Sequence, residues 1–433
     1  MEHTDTIVAI SNLAVTYHSL GKYRKAEKLE IQALDTRSRT LGVEHPDTIR
    51  AMANLAITCH SLGKDMEAEK LAIQVLDARN RSLGVEHPET IVAMSNLAVI
   101  YYSLENDTEA EKMEIQVLEA RYRILGVEHK STIDAMANLA VTYHRLEKYT
   151  EAKKLEIQVL NARNRILGSK HPVTIVAMSN LAVTYHSLGE YIKAEKLEIQ
   201  VLDARKRILG VEHPDTISAM ANLAATYYSL GKYIAAEKLE IQILDARNRI
   251  LGAEHTEAII AMSNLAITYC ALERYIEAEK LEIQVCNARN RVLGMDHPDT
   301  INAMANLAST YRSLEKYKEA EQLEIQVLGA RNRILGVEHP HTITTTINLA
   351  ATYKCLGKYT EGEKLQIQAQ EAQSRHFGGE HFHTIKTMSN IQETLETEVL
   401  NARSTAPEEE ILDLLQIVLN PPPLAVLPDI NLN

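Results

Sequence analysis

Residues 41–84 read LGVEHPDTIRAMANLAITCHSLGKDMEAEKLAIQVLDARNRSLG, and the punctuation in that stretch decides the fold. Gly42 stands where a helix would end in a left-handed residue. Pro46 stands where the next would begin, because its missing N–H is one that a first turn leaves unpaired anyway. From Pro46 to Leu62 the residues Ile49, Met52, Leu55, Ala56 and Cys59 recur at spacings of three and four, which is one stripe of a helix. Gly63 interrupts the pattern, and Ala68, Leu71, Val75 and Leu76 set a second stripe over about Lys64 to Leu83. The unit predicted is a helix-turn-helix hairpin, with the small Ala68 where the two backbones cross.

The hairpin recurs. His45 has counterparts at His3, His87, His129, His171, His213, His255, His297, His339 and His381, each 42 residues from the last with no insertion. One hairpin cannot hide its apolar face, but a stack of them can, each repeat burying its neighbour. Residues 1–381 therefore divide into nine repeats. Residues 382–403 read as a truncated tenth, because Val399–Arg403 repeats Val159–Arg163 twelve residues ahead of the period. Residues 404–420 read as a capping helix opening on Thr405-x-x-Glu408, and 421–433, with Pro421-Pro422-Pro423, as an extended or disordered tail. The first helix lacks a preceding repeat, so Ile7, Ile10, Leu13 and Ala14 are expected to offer a face to a docking partner.

Composition narrows the function. A net charge of -12 argues against a nucleic-acid binder, and no Lys/Arg-rich block offsets it. The scattered cysteines, Cys59, Cys270, Cys286 and Cys355, suit neither zinc nor a disulfide framework. No apolar run is long enough to cross a bilayer and no signal peptide opens the chain, which leaves the cytoplasm as the expected location. The sequence holds no nucleophile-base pairing, no HExxH and no phosphate-cradling loop, so no enzyme activity and no cofactor is expected. Equivalent loop histidines should lie about 8–10 Å apart, too far to share a metal. Capping of the following helix explains them better.

The series Asn-Leu-Ala-x-x-Tyr, Gly-Lys-Tyr, Ala-Glu-Lys-Leu and Leu-Gly-x-x-His-Pro resembles the tetratricopeptide repeat of kinesin light chains, over about residues 1–403. The resemblance implies an all-α, right-handed superhelix, an α-solenoid of about nine complete repeats. It also implies a non-catalytic scaffold that holds an extended peptide in a concave groove, as a kinesin-light-chain-like adaptor does. Similar arrays form the sensing arm of nucleotide-switch defence proteins, which is the alternative. Where the family has an aromatic in the second helix, this chain has Glu30, Ala72, Glu114, Glu156 and Glu198, which are expected to face solvent. Gly362, in place of the crossing Ala, is expected to loosen the ninth repeat.

One residue of the first helix never varies: Asn54, Asn96, Asn138, Asn180, Asn222, Asn264, Asn306 and Asn348, with Asn12 and Asn390 beyond them. Asn is a mediocre helix former, so its recurrence needs a cause. In the family this position faces the groove, where the amide can pair with a peptide backbone; the alternative is a bond to the neighbouring repeat. One turn on, the residue varies, as a ligand contact would: Tyr102, His144, His186, Tyr228, Arg312 and Lys354. The drift toward cations suggests a protein or peptide ligand with an acidic segment. Reversing Arg312 and Lys354 should then abolish its binding without lowering the melting temperature.

Overall fold

The computed structural model describes residues 4–377, and every regular element among them is an α-helix. Nine pairs follow one another. The first helices are α1 (Thr4–Ser19), α3 (Pro46–Ser61), α5 (Pro88–Ser103), α7 (Lys130–Arg145), α9 (Pro172–Ser187), α11 (Pro214–Ser229), α13 (Thr256–Ala271), α15 (Pro298–Ser313) and α17 (Pro340–Cys355). Their partners are α2 (Tyr23–Leu41), α4 (Asp65–Leu83), α6 (Asp107–Leu125), α8 (Tyr149–Leu167), α10 (Tyr191–Leu209), α12 (Tyr233–Leu251), α14 (Tyr275–Leu293), α16 (Tyr317–Leu335) and α18 (Tyr359–Phe377). The helices group into two compact units divided between Leu230 and Gly231. The tenth repeat, the C-terminal helix and the tail lie outside the described residues.

The loop histidines are helix caps. Nδ1 of His45, His87, His129, His171, His213, His255, His297 and His339 accepts the backbone N–H two residues on, at 3.1–3.3 Å. Each ring thereby satisfies one of the N–H groups that a helix start leaves unpaired. The turn inside each hairpin needs a left-handed residue. Gly63 supplies it with φ 74°, but Glu105, Glu147, Glu273 and Glu315 hold the same place at φ 58–59°.

The crossing alanines Ala26, Ala68, Ala110, Ala152, Ala194, Ala236, Ala278 and Ala320 are wholly buried. At Gly362, expected to loosen the ninth hairpin, a Cβ would stand 3.0 Å from the Ala350 carbonyl oxygen and 3.2 Å from Lys354 Cγ, so the two helices lie close there and an alanine would require a small shift. Leu55, Leu97, Leu139 and Leu181 are each 3–5% exposed, and burying such a side chain stabilises by roughly 1.5–3 kcal/mol. On α1 the expected docking face is mostly closed: Ile7 and Ala14 are buried, Ile10 is half-buried, and only Leu13, at 45%, is open.

Polar ties join successive hairpins. A guanidinium from the second helix (Arg37, Arg79, Arg121, Arg163 and Arg205 in the first unit; Arg247, Arg289 and Arg331 in the second) donates to the backbone carbonyl ten residues on, at 2.7–3.4 Å. A second tie runs from a loop acid to an arginine 37 residues later, as in Glu44–Arg81 at 2.8 Å and Glu86–Arg123 at 2.7 Å. A third joins Glu27 to Lys64, Glu111 to Lys148, Glu279 to Lys316 and Glu321 to Lys358 at 2.5–2.7 Å.

Candidate functional site

On each first helix the Asn is the centre of an i, i+4, i+7 stripe whose flanks vary, aliphatic on α5, α9 and α13 but charged at Arg50 on α3 and Asp134 on α7. In the first unit α5 presents Val92, Asn96 and Val99, and α9 presents Val176, Asn180 and Val183. In the second unit α13 presents Ile260, Asn264 and Ile267, and α15 presents Asn302, Asn306 and Ser309. Asn138, Asn264 and Asn306 are exposed, and Asn54, Asn96, Asn180, Asn222 and Asn348 are half-buried. None of these side-chain amides makes a hydrogen bond among the described residues.

The variable position one turn on is occupied differently from expectation. Nε2 of His144 lies 3.3 Å from the Ser187 hydroxyl of the next repeat, and Nε2 of His186 lies 3.3 Å from that of Ser229. Both rings also meet a tyrosine edge-on, Tyr149 and Tyr191. Burial holds the His144 imidazole below its ordinary pKa. Tyr102 carries the Arg145 guanidinium over its ring at 3.4 Å. Tyr228 is exposed on α11.

The cations on which the acidic-ligand expectation rests are already engaged. Arg312 Nε lies 3.3 Å from Glu324 Oε1, and Lys354 Nζ donates to Gln366 Oε1 at 2.6 Å. The twelve-residue spacing brings each cation back across the hairpin turn onto the second helix of its own repeat.

The mid-helix glutamates also correct the expectation, for they do not face solvent. Glu30, Glu114, Glu156 and Glu198, with Glu240, Glu282 and Glu324 in the second unit, are 3–7% exposed, and Ala72 is 5% exposed. Each carboxyl faces the threonine of the following first helix, as Glu114 faces Thr142 and Glu156 faces Thr184. The approach is loose. Oε2 of all seven glutamates closes no hydrogen bond, and neither do the hydroxyls of Thr58, Thr142, Thr184, Thr226 and Thr268. Burial pushes Glu114, Glu156, Glu198 and Glu282 up to about 7, with the threonine opposing the rise. Burial likewise raises Glu30, Glu240 and Glu324.

Glu27, Cys59 and Glu67 bring potential ligand atoms within 4.8 Å of one another. The Glu27 carboxylate already takes the Lys64 ammonium at 2.5 Å, and burial pushes the Cys59 thiol up to about 11. The group is an ion pair beside a neutral thiol. Among the described residues no helix is long and apolar enough to cross a membrane.

The tetratricopeptide repeat family matches residues 5–123 and 131–333 in overlapping segments, and 342–383 in a further one. The chain belongs to the tetratricopeptide repeat family. Among solved structures it is similar to a protein of Podosopora anserina assigned as a kinesin light chain with nearly identical TPR-like repeats. That likeness has 28% identity over 48% of this chain and 99% of the other, with a TM-score of 0.43. The apo quorum sensor NprR of B. thuringiensis aligns at 13% identity over 85% of this chain and 99% of its own, with a TM-score of 0.58. A signal-transduction ATPase with a tetratricopeptide repeat sensor, from Pyrococcus horikoshii, aligns at 13% over 85% of this chain and 54% of its own, TM-score 0.56. The last two share the fold with this TPR array. No curated protein matches it.

Proposed function

We propose that this TPR array is a non-catalytic scaffold that holds an extended peptide segment against its first helices. The observation that carries the reading is the ladder Asn54 to Asn348, whose side-chain amides are exposed or half-buried and make no hydrogen bond among the described residues. A side-chain amide offers two donors and two acceptor lone pairs, which matches the alternating carbonyl and N–H of an extended backbone independently of sequence. The exposed aliphatics at Val92, Val99 and Val176 would add side-chain contacts. With Arg312 and Lys354 turned inward, the segment that fits this face best is uncharged or apolar rather than acidic.

An adaptor of the kinesin-light-chain kind and the sensing arm of a switch protein would both use this face. The sensor reading gains from the NprR and STAND likenesses, both proteins whose described role is sensing. The test is binding of a panel of unstructured peptides, uncharged and acidic, by the full chain and by a variant with Asn54→Ala, Asn96→Ala, Asn138→Ala and Asn180→Ala. Loss of binding by tenfold or more with an unchanged helical melt supports the ladder, since each lost amide pair contributes about 0.5–1.5 kcal/mol. Unchanged affinity overturns it.

A further inference from the structure

A buried ionised carboxylate without a partner is too costly to keep, and the ordinary outcome is that it takes up a proton. This chain buries seven carboxyls among its described residues, at one place in the repeat, each with Oε2 unbonded. Two internal variants show what else the position accepts. At the second junction Glu and Thr are replaced together by Ala72 and Ile100, which share one apolar cluster. In the eighth repeat a guanidinium, Arg312, approaches Glu324. The position therefore tolerates a matched apolar pair or a cation, and elsewhere holds a carboxyl with neither.

The groups around these carboxyls do not supply a counter-charge. Glu156 faces Thr184 of α9, and Glu198 faces Thr226 of α11 and Glu195 of its own helix, with His144 and His186 standing before them at the same twelve-residue spacing as Arg312 before Glu324. Glu282 faces Thr310 of α15 and Glu279 of its own helix, with the thiols Cys270 of α13 and Cys286 of α14 nearby. Glu114 faces Thr142, Tyr143 and Arg145 of α7 and, on its own helix, Asp107 and Glu111; the Arg145 guanidinium is already committed to Asp107.

We propose that the repeat junctions are proton-binding sites: each Glu–Thr junction closes fully only with its carboxyl protonated, so the hairpins stack more firmly as the pH falls. The sign follows from the raised folded-state pKa. The junctions' contribution is complete below the ordinary carboxyl value of 4.5 and is lost as the pH rises to about 7, so the sensitive window lies between those two values. Thr142 and Thr184 lie one helical turn from Asn138 and Asn180, so the same proton governs how firmly the helices of the Asn ladder are held.

The experiment is thermal unfolding of the full chain, followed by circular dichroism, from about pH 4 to about pH 7.5, a span that covers the window. It is run beside a variant with Glu114→Gln, Glu156→Gln, Glu198→Gln and Glu282→Gln. Gln keeps the shape and removes the titration. The parent is expected to lose about 5 °C or more across that range and the variant less than half as much. Should the fourfold variant fail to fold, Glu156→Ala with Thr184→Ile, which copies Ala72 and Ile100, is measured instead and is expected to take up one proton fewer on refolding within that window, with a shallower fall in Tm. An equal fall in parent and variant overturns the proposal.

Discussion

Lys153 Nζ lies 2.9 Å from Glu190 Oε1, and the signs of this pair are the reverse of those in Glu27–Lys64, Glu111–Lys148, Glu279–Lys316 and Glu321–Lys358. All five pairs occupy the same two positions of successive repeats. The exchange of both partners together shows that the tie itself is kept while its polarity is free. Lys153→Glu alone sets two acids together and, for a pair about one-quarter exposed, should cost about 0.5–1 kcal/mol. Adding Glu190→Lys should recover most of it. A double-mutant cycle in urea checks this, and additive effects would mean that the tie contributes nothing.

The Ala72–Ile100 junction makes the matching prediction for the core. Ala72→Glu places a carboxyl against an isoleucine with no hydroxyl to face, and should cost about 1–3 kcal/mol at neutral pH, less in acid. Adding Ile100→Thr should reduce that cost, because it restores the pairing found at the seven glutamate junctions. If the double variant is no better than the sum of the singles, the pairing is not a unit.

Much of the fold was legible because helix punctuation is local. The reading of Pro46 to Leu62 agrees with the observed Pro46–Ser61 to one residue, and Gly42, read as a left-handed helix stop, takes a positive φ of 87°. The glutamate burial was harder to see. Ala26, Glu30, Ala33 and Arg37 fall on one helical stripe, and all four are buried, but two charged residues on a stripe read as solvent-facing when the helix is considered alone. The clue lay 28 residues away, where Thr gives way to Ile100 only after Glu gives way to Ala72. In the same way Arg312 and Lys354 read as free cations on one helix, and only the hairpin turn brings Glu324 and Gln366 back to meet them.

Glu147 holds a left-handed backbone, φ 58°, at the turn where Gly63 holds φ 74°. An L side chain in that region is disfavoured by about 1 kcal/mol or more. Glu147→Gly should therefore raise stability by about that amount less the entropy Gly adds to the unfolded chain, a net gain of a few tenths to 1 kcal/mol. Chemical denaturation of the single variant and of the fourfold one, with Glu105, Glu273 and Glu315 also changed, should show gains that accumulate. A loss would mean that these side chains make contributions exceeding the strain.

His129 caps α7 through Nδ1, which accepts the Ser131 N–H at 3.1 Å. His129→Ala removes that acceptor and should cost about 1 kcal/mol, while His129→Asn, a strong N-cap residue, should restore most of it. Equal losses in the two variants would show that the ring is held for its packing and not for the cap.

Arg312 supplies the sharpest contrast between reading the helix and reading the hairpin. Considered as a ligand contact, its reversal should leave the melting temperature alone. Its guanidinium instead approaches Glu324, a carboxyl only 4% exposed on the side-chain measure, while Arg312 itself is 26% exposed. Arg312→Glu would set a second acid beside that buried one, and should cost about 1–3 kcal/mol at neutral pH, with the loss shrinking in acid as Glu324 takes up a proton. Arg312→Gln should cost less and should make the eighth repeat behave like its neighbours, adding one more proton to the pH-dependent part of the stability. Thermal melts of the two variants at acidic and alkaline pH separate these effects, and a pH-independent loss in both would assign Arg312 to packing alone.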